Sequence, residues 1–441
     1  MRDVIIFGII FGMVPWMFKR PAIGALMFMW ISLMNPHRLA YGPAYDFPFA
    51  MMVAVITIVA LLFSKEQRDY PAKPVTVLLV VMMIWVTVTT LFALTPAVYV
   101  NYEWSRVIKT LLMVAVTIMV IQTEADLKKM VWILALSLGL FGLKGGIFTL
   151  LSGGGSRVLG PAGSYIAENN SLALALVMAV PMIWYMRLQA EKRWLRHGLE
   201  VLAGLTVIAA AGSYSRGALL AGAAMMGFLW LKSRNKVSTG LVLLMLSPVV
   251  WLAMPEQWHD RMSTIGDYQQ DGSALGRINA WYFAMEVAKT HLLGGGFVVF
   301  NPAMFKIYAP NPDDFHAAHS IFFQVLGEHG YIGLTIFLSL IAASWRTGTK
   351  IIKSVKRHPE LKWASDLAAM SQVSILGYLV GGAFLSLAYY DYFYYVVAAL
   401  VVTQRIVARK LKPVASFDMA ASGLRQEPGT ILESGNAHAR T

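Results

Sequence analysis

Long apolar runs recur along the whole chain and decide its fold class. Runs of roughly 17–25 apolar residues match the helix length that crosses the hydrocarbon core of a bilayer. The 441-residue chain is 57% hydrophobic and 14% charged, whereas a soluble domain is about half apolar and about a quarter charged. The sequence therefore predicts an all-α polytopic membrane protein. The apolar segments cover residues 4–17, 21–34, 47–63, 75–95, 103–121, 130–151, 170–187, 199–214, 217–231, 238–254, 319–345, 367–386 and 389–407.

Short basic linkers alternate with nearly neutral ones, and this alternation predicts the orientation of the chain. The basic linkers at 65–73 and 346–362 are typical of cytoplasmic loops, because positive charge accumulates on that side. The nearly neutral linkers, which include 152–169 and 255–318, then face outward. The net charge of +13 sits largely in these linkers, so it indicates topology and not a nucleic-acid partner. The chain has no cysteine, which excludes disulfides and thiolate sites.

The first 34 residues leave two helix counts open. One broken or re-entrant segment there gives about twelve transmembrane helices with both termini inside, and this is the count that we expect. Two crossings would give thirteen and an outside N-terminus. The expected regions are an N-terminal transmembrane bundle at 1–254, a large outward loop with short helices at 255–318, C-terminal transmembrane helices at 319–412 and a disordered cytoplasmic tail at 413–441.

A histidine motif stands where the long polar loop meets an apolar segment. His319-Ser320 is followed by nine residues and then by Gly330-Tyr331-Ile332-Gly333. An imidazole can accept a proton near neutral pH, and an ionisable group at this depth is a functional hypothesis. The alternative is a histidine that only satisfies backbone groups at a helix start. A metal site built from Asp313, Asp314, His316 and His319 is a further alternative, since carboxylates and imidazoles ligate divalent metals.

Cationic side chains lie on the outward side, where the positive-inside bias disfavours them. Arg157, Arg216 and Arg277 occupy outward loops or breaks, and Arg106 and Lys109 lie one turn apart near the outer end of their segment. A planar guanidinium suits phosphate or pyrophosphate, which it grips with two parallel hydrogen bonds. The alternative is that each cation reaches lipid headgroups or pairs with a carboxylate. The candidate carboxylates are Glu103, Glu168 and Asp271.

Several aromatic and histidine positions have structural interpretations. The aromatic run at 389–395 around Asp391 predicts an interfacial belt, with a lipid groove as the alternative. We expect His37 to be structural or accessory and His329 to be a core histidine.

The motif residues resemble those of the O-antigen ligase and polymerase superfamily of bacterial envelope glycosyltransferases. The resemblance rests on His319-Ser320-x9-Gly330-x-x-Gly333 and on Arg216-Gly-Ala-Leu-Leu220, an Arg-x3-Leu motif, both flanking an expected periplasmic loop. The pair Gly276-Arg277 and the stretch from Arg157 to Asn170 are less specific. Met34-Asn35-Pro36-His37-Arg38 is similar to a ligase subgroup associated with exosortase systems.

The resemblance implies a GT-C-like, multi-pass glycosyltransferase of the bacterial inner membrane with its active site facing the periplasm. It implies transfer of an O-antigen glycan from undecaprenyl pyrophosphate to a sugar hydroxyl of lipid A–core, with inversion at the anomeric carbon. His319 would be the general base, while Arg157, Arg216 and Arg277 would hold the pyrophosphate. We expect no metal or other cofactor, membrane lipids as surroundings and no nucleic-acid partner. The accessory candidates are Arg106, Lys109, Asn170, His316 and Tyr214.

Three other functions remain open. An O-antigen polymerase joins donor repeats to each other, and a protein O-oligosaccharyltransferase uses a Ser or Thr acceptor. A transporter of an anionic lipid-linked substrate belongs to a different class and could use Arg106, Lys109 and Lys144 along its path. The sequence has no paired broken helices in corresponding halves, the usual pointer to a transporter.

Overall fold

The computed structural model of the protein describes residues 1–66, 68–232, 236–237, 240–241, 255–256, 258–259 and 272–411. This part of the chain contains helices and loops and no strand. The predicted tail at 413–441 and nearly all of the predicted apolar segment at 238–254 lie outside it. The α-helices with described bounds are α1 (Arg2–Lys19), α2 (Pro21–Met34), α3 (Phe49–Phe63), α4 (Pro74–Leu91), α5 (Ala97–Val120), α6 (Glu124–Leu151), α7 (Asn169–Gln189), α8 (Arg193–Ala211), α9 (Arg216–Lys232), α10 (Gly272–Thr290), α11 (Pro302–Tyr308), α12 (Ile321–Ser354), α13 (Lys362–Gly382) and α14 (Asp391–Leu411).

Five helices in the described part of the chain are long and apolar enough to cross a membrane, namely α4, α6, α7, α8 and α12. Shorter apolar helices cover Pro21–Met34, Phe49–Phe63 and Arg216–Leu231. Their length and composition indicate a multi-pass membrane protein, as the apolar runs predicted. The count of twelve crossings and the GT-C-like fold stay predictions.

The first 34 residues form two helices with a break at Arg20. The Arg20 guanidinium contacts Glu66 and Asp126, each at 3.1 Å. Near the start of α1, the Asp3 carboxylate accepts a hydrogen bond at 3.1 Å from the backbone N–H of Ala44, in the loop after α2. The two helices are therefore antiparallel. Such a pair fits one broken segment as well as two crossings, so the helix count stays a prediction.

The linkers gather at the two ends of the bundle as the charge pattern predicts. At one end Arg409 contacts Asp69 at 3.2 Å, so the basic linker at 65–73 meets the end of α14. At the other end of α4, the Leu94 N–H donates to the Gly295 carbonyl at 2.9 Å. The long loop thus packs where the predicted outward linkers meet.

Helix α14 lies at the centre of the bundle and contacts α2, α4, α5, α6, α12 and α13. The prediction of an interfacial belt over 389–395 is wrong, because Tyr392, Tyr394 and Tyr395 are fully buried. A hydroxyl in the core usually finds a partner, and Tyr394 donates to the Ala388 carbonyl at 3.0 Å. The run is rich in tyrosine, as aromatic belts at membrane interfaces are. Its neighbours, however, are other helices and not lipid.

Helix α12 is kinked at Gly330, which explains one glycine of the histidine motif. Gly330 has φ +67°, a backbone region that favours glycine. A Cβ there would lie 2.4 Å from the Leu292 carbonyl oxygen. The kink admits the 292–297 turn, whose Gly295 and Gly296 N–H groups donate to the carbonyls of Gly327 and Glu328, each at 2.8 Å. The turn thereby satisfies carbonyls at the helix break.

Candidate functional site

Helix α10 holds the segment that carries His319. The Trp281 indole N–H donates to the Ala318 carbonyl at 2.8 Å, and its ring stacks on Phe323 at 4.9 Å. The Asn279 amide donates to the carbonyls of Asn311 and Asp314, each at 2.9 Å. Buried side-chain bonds of this kind give a loop one conformation, so the position of His319 depends on α10.

His319 has a constrained backbone and a half-buried side chain. Its φ of +43° is unusual for a residue with a Cβ, and such residues concentrate at functional sites. Its N–H donates to the Ser386 hydroxyl at 2.8 Å. Burial lowers the pKa of the imidazole to about 4, and the positive charge of Arg277 and then of His316 lowers it in the same direction. His319 is therefore neutral at pH 7 and has a nitrogen lone pair free for a proton.

One residue of the acidic pair, Asp314, contacts His316 beside His319. His316 Nε2 lies 2.9 Å from Asp314 Oδ1. The described residues contain no group of three or more His, Asp or Glu side chains placed to hold a metal. The alternative of a metal site at Asp313, Asp314, His316 and His319 therefore has no support in the geometry. Gly276 allows His316 to pack against α10, because a Cβ there would meet the imidazole at 2.2 Å.

The predicted arginines lie on three separate elements of the chain. Arg277 lies in the first turns of α10 and is close enough to His319 to lower its pKa. Arg216 starts α9 directly after Tyr214, whose φ is +63°. Arg157 is exposed in the 152–168 loop, and its guanidinium carbon lies 5.9 Å from the centre of the Tyr214 ring. Tyr214 therefore links Arg157 to the start of α9.

The 152–168 loop is fastened to the α8–α9 junction. The Val158 N–H donates to the Gly212 carbonyl at 3.2 Å, and the Asn169 amide donates to the Ser213 carbonyl at 2.8 Å. The Tyr214 hydroxyl donates to the Gly154 carbonyl. These bonds hold the segments of Arg157 and Arg216 as one unit.

The 383–390 turn joins this unit to the histidine segment. A Cβ on Gly217 would lie 3.5 Å from Phe384 Cβ, and Ser386 binds the backbone of His319. Residues two apart are separated by at most about 7 Å between Cα atoms. The start of α9 and His319 thus flank the same short stretch of chain.

A cavity of about 450 Å³ opens beside the histidine segment. Ala317, Ala318 and Ser386 line it, so the backbone of His319 borders it. The rest of its lining is largely polar and aromatic. Its ionisable side chains include Glu103, Glu168, Glu328 and Arg106, with Gln324, Tyr165, Tyr389, Phe297 and Phe300 among the others.

Two polar pairs organise this cavity. Arg106 contacts Glu103 at 3.2 Å and stacks over the Tyr165 ring at 3.3 Å from its centre. Glu328 is buried and accepts a hydrogen bond from the Tyr389 hydroxyl at 2.6 Å. Arg106 thus has the carboxylate partner that the sequence offered as the alternative to an anion site.

The structure does not bring every predicted accessory residue into the cavity. Lys109 is half-buried one turn after Arg106, and Asn170 lies in the first turn of α7 beside Ser171. Of these three, Ser171 alone lines the cavity. Asn170 and Lys109 stay predictions.

Sequence reasoning missed Glu328, Tyr389 and Gln324. Gln324 and Glu328 are four residues apart in α12 and therefore share one helix face. A carboxyl group inside an apolar helix was a readable signal, because such groups are expensive to bury without a function. Tyr389 was counted in the supposed belt.

His329 and His37, the other two histidines interpreted from the sequence, have structural surroundings. His329 is fully buried, and its Nδ1 lies 2.7 Å from the Thr89 hydroxyl, which confirms a core histidine. Burial and the neighbouring Arg38 lower the pKa of His37 to about 4, and its ring lies 6.1 Å from Phe49. His37 does not line the cavity.

Comparison with known families divides the chain into two matched regions. Residues 1–190 match a family of unknown function (DUF5935). Residues 201–338 match the O-antigen ligase family. No curated protein matches the chain. His319, Arg216 and Arg277 fall in the second region.

Proposed function

Since residues 201–338 place the chain in the O-antigen ligase-like superfamily, we propose that it transfers an O-antigen glycan from undecaprenyl pyrophosphate to a sugar hydroxyl of lipid A–core. The observation that carries this proposal is His319, an imidazole of lowered pKa close to Arg277, in a segment whose Ala318 lines a cavity. A base next to a cation suits a reaction in which a hydroxyl loses a proton while an anion departs. The ligase subgroup associated with exosortase systems stays a prediction.

The proposed step is a single displacement. The acceptor hydroxyl oxygen attacks the anomeric carbon of the donor sugar and forms the new glycosidic bond. The bond from that carbon to the phosphate oxygen breaks, and undecaprenyl pyrophosphate leaves with the bonding electron pair. The hydroxyl proton passes to His319. Attack opposite the leaving group inverts the anomeric configuration.

A histidine with a pKa of about 4 is suited to this role. Carboxylates of ordinary pKa, about 4, serve as the general base of inverting glycoside hydrolases. A pyrophosphate bound beside the imidazole raises its pKa, because a nearby negative charge favours the protonated form. Donor binding would therefore make His319 a stronger base.

The arginines would stabilise the negative charge that develops on the leaving pyrophosphate. Arg277 already influences His319, and Arg216 and Arg157 belong to the unit joined to it through the 383–390 turn. Preorganised donors aimed at developing charge contribute about 10²–10³ in rate each. These charges make Mg²⁺ dispensable in the proposed mechanism.

Reconstitution tests the proposed reaction. Purified protein in vesicles receives lipid-linked glycan alone or together with lipid A–core, and products are separated by size and by acceptor. Glycan attached to lipid A–core supports the ligase, whereas longer donor chains with lipid A–core untouched identify a polymerase. Glycan on added Ser/Thr peptide identifies a protein O-oligosaccharyltransferase. Movement of intact donor without any new bond identifies a transporter.

The same assay with a chelator tests the metal-free mechanism. Product should form equally with EDTA. Loss of product that one divalent metal restores would make the His316–Asp314 pair and His319 ligands and would defeat the general-base role.

The proposed location is the bacterial inner membrane with the site facing the periplasm. The chain contains no native cysteine, so single cysteines report sidedness cleanly. Lys306→Cys in α11 and Lys353→Cys near the end of α12 are both at exposed positions. An impermeant thiol reagent added to whole spheroplasts should label the first and not the second. The reverse pattern would invert the whole orientation.

A further inference from the structure

We infer that the cavity beside His319 binds the acceptor and selects a sugar that carries no phosphate. This inference rests on the proposed function and extends it to the acceptor, which the family match leaves open. The volume of about 450 Å³ falls in the roughly 300–1,000 Å³ range of small-molecule sites. Ala318 precedes His319 in the chain and Ser386 binds its backbone, and both residues line the cavity, so a sugar bound there lies close to the segment of the proposed base.

The charges of the cavity argue against a phosphorylated ligand. Three carboxyl groups, from Glu103, Glu168 and Glu328, line it against the single guanidinium of Arg106. Glu103 already occupies that guanidinium at 3.2 Å. A phosphate monoester would meet Glu168 while Arg106 is already paired with Glu103, and like charges at close range repel.

The same groups suit the hydroxyls of a sugar. Carboxylates accept hydrogen bonds from hydroxyl donors, and a charged acceptor makes such a bond roughly twice as strong. Gln324 offers both an amide donor and an acceptor, although its oxygen already accepts from the Ala388 N–H at 3.1 Å. The orientation of these acceptors is set before binding, because Arg106 holds Glu103 and Tyr389 holds Glu328.

Aromatic rings supply the apolar part of the surface. Phe297, Phe300, Tyr165 and Tyr389 line the cavity beside the carboxylates. A pyranose has an apolar face of C–H groups and a rim of hydroxyls, so it matches a wall of rings edged by acceptors. A pyrophosphate matches neither feature.

The surroundings of His319 thus divide the substrates by charge. Arg277 is close enough to His319 to lower its pKa but does not line the cavity, whose lining carries the carboxyl groups. The donor pyrophosphate is drawn to the arginines and repelled by the cavity. A neutral or amino sugar is not repelled by the cavity. The difference in charge keeps the donor pyrophosphate out of the acceptor position.

Direct binding to the full chain in nanodiscs tests the inference without any transfer reaction. The probes are methyl glucoside, methyl glucoside 6-phosphate and glucosamine, followed by saturation-transfer NMR. We expect the phosphate ester to bind about tenfold more weakly than the neutral glycoside, and glucosamine to bind at least as tightly. Glu103→Gln frees Arg106 and should bring the phosphate ester within about threefold of the neutral glycoside.

Two further variants make the test specific. Glu168→Gln removes a carboxylate at an exposed position, where loss of folding is not expected, and should also weaken the discrimination. Glu286→Gln is the matched control, because Glu286 pairs with Lys289 at 3.3 Å on α10 and does not line the cavity. It should bind all three probes as the native chain does.

The outcomes separate this inference from the proposed function. Equal or tighter binding of the phosphate ester by the native chain, or identical selectivity in Glu103→Gln and Glu286→Gln, overturns the inference. Binding of a Ser/Thr peptide that displaces the sugar also overturns it. A chain that binds sugars selectively but transfers no glycan to any acceptor would instead defeat the proposed function and leave the cavity as a saccharide site.

Discussion

The two family-matched regions contribute different chemistry to one site. Residues 201–338 contain the proposed base His319, Arg277 close to it and Arg216 at a helix start, whereas Arg157 lies in residues 1–190. Residues 1–190 carry most of the carboxylate side, through Glu103 and Glu168, and also Arg106. The difference suggests that donor chemistry belongs to the ligase region and that the N-terminal region selects the acceptor.

A third stretch of the chain contacts the ligase-matched region at two points. Ser386 binds the backbone of His319, and Tyr389 binds Glu328 at 2.6 Å. Both lie between α13 and α14, beyond either matched region. Changes in the ligase region should therefore affect the reaction itself, whereas changes in the N-terminal region should affect acceptor use.

The largest expected effect is that of His319→Ala. Removal of the base should lower transfer by about 10²–10⁴, the usual contribution of general-base catalysis. His291→Ala is the matched control, because His291 pairs with Tyr308 at 2.7 Å on the same side of the bundle. Rates are measured on reconstituted protein that elutes and unfolds like the native chain. A folded His319→Ala protein that transfers glycan at the native rate would exclude His319 as the general base.

Substitutions of the three arginines proposed to hold the pyrophosphate should come next. Arg277→Ala and Arg216→Ala should each reduce transfer by about 10²–10³, with Lys restoring only part because it lacks the planar fork. Arg157→Ala should have a smaller effect, because Arg157 is exposed. Arg346→Ala, an exposed position on α12, serves as control. Full rates with Lys at all three positions would contradict recognition of pyrophosphate by geometry.

Arg106→Ala should affect the acceptor and spare the donor. Its loss leaves Glu103 without its 3.2 Å partner, so the acceptor KM should rise about threefold to tenfold. The donor KM should not change, and Arg106→Lys should recover part of the effect. If the donor KM rises as much as the acceptor KM, the division between the two regions fails.

The smallest expected effect is a shift in the pH profile. Protonated His319 cannot accept a proton, so kcat/KM should fall as pH drops through about 4. Arg277→Gln removes a charge that lowers this pKa, so the acidic limb should move toward neutral pH by roughly half a unit to one unit. Arg346→Gln should leave the limb in place. Steady-state rates are measured for both variants between pH 3.5 and 8. An acidic limb that does not move in Arg277→Gln would show that Arg277 does not lower the pKa of the base.

Local sequence signals predicted the helices and the motif residues well. Apolar runs predict helices wherever the chain must satisfy its backbone inside a bilayer. The basic linkers predicted which loops share an end of the bundle, as the Arg409–Asp69 contact shows. His319 and Arg277 were proposed as a base and a pyrophosphate ligand from residue type and position, and Arg277 is close enough to His319 to lower its pKa.

The chain by itself determined a multi-pass helical membrane protein with a histidine and arginines at the end of a long loop, because these properties depend on local composition and spacing. Only the tertiary structure decided which side chains meet. The aromatic run at 389–395 is buried because other helices surround α14. Glu103, Tyr165, Glu328 and Tyr389 form one cavity although they lie far apart in the chain. The low pKa of His319 has the same origin, since burial and a neighbouring charge are properties of the packed bundle and not of the residue.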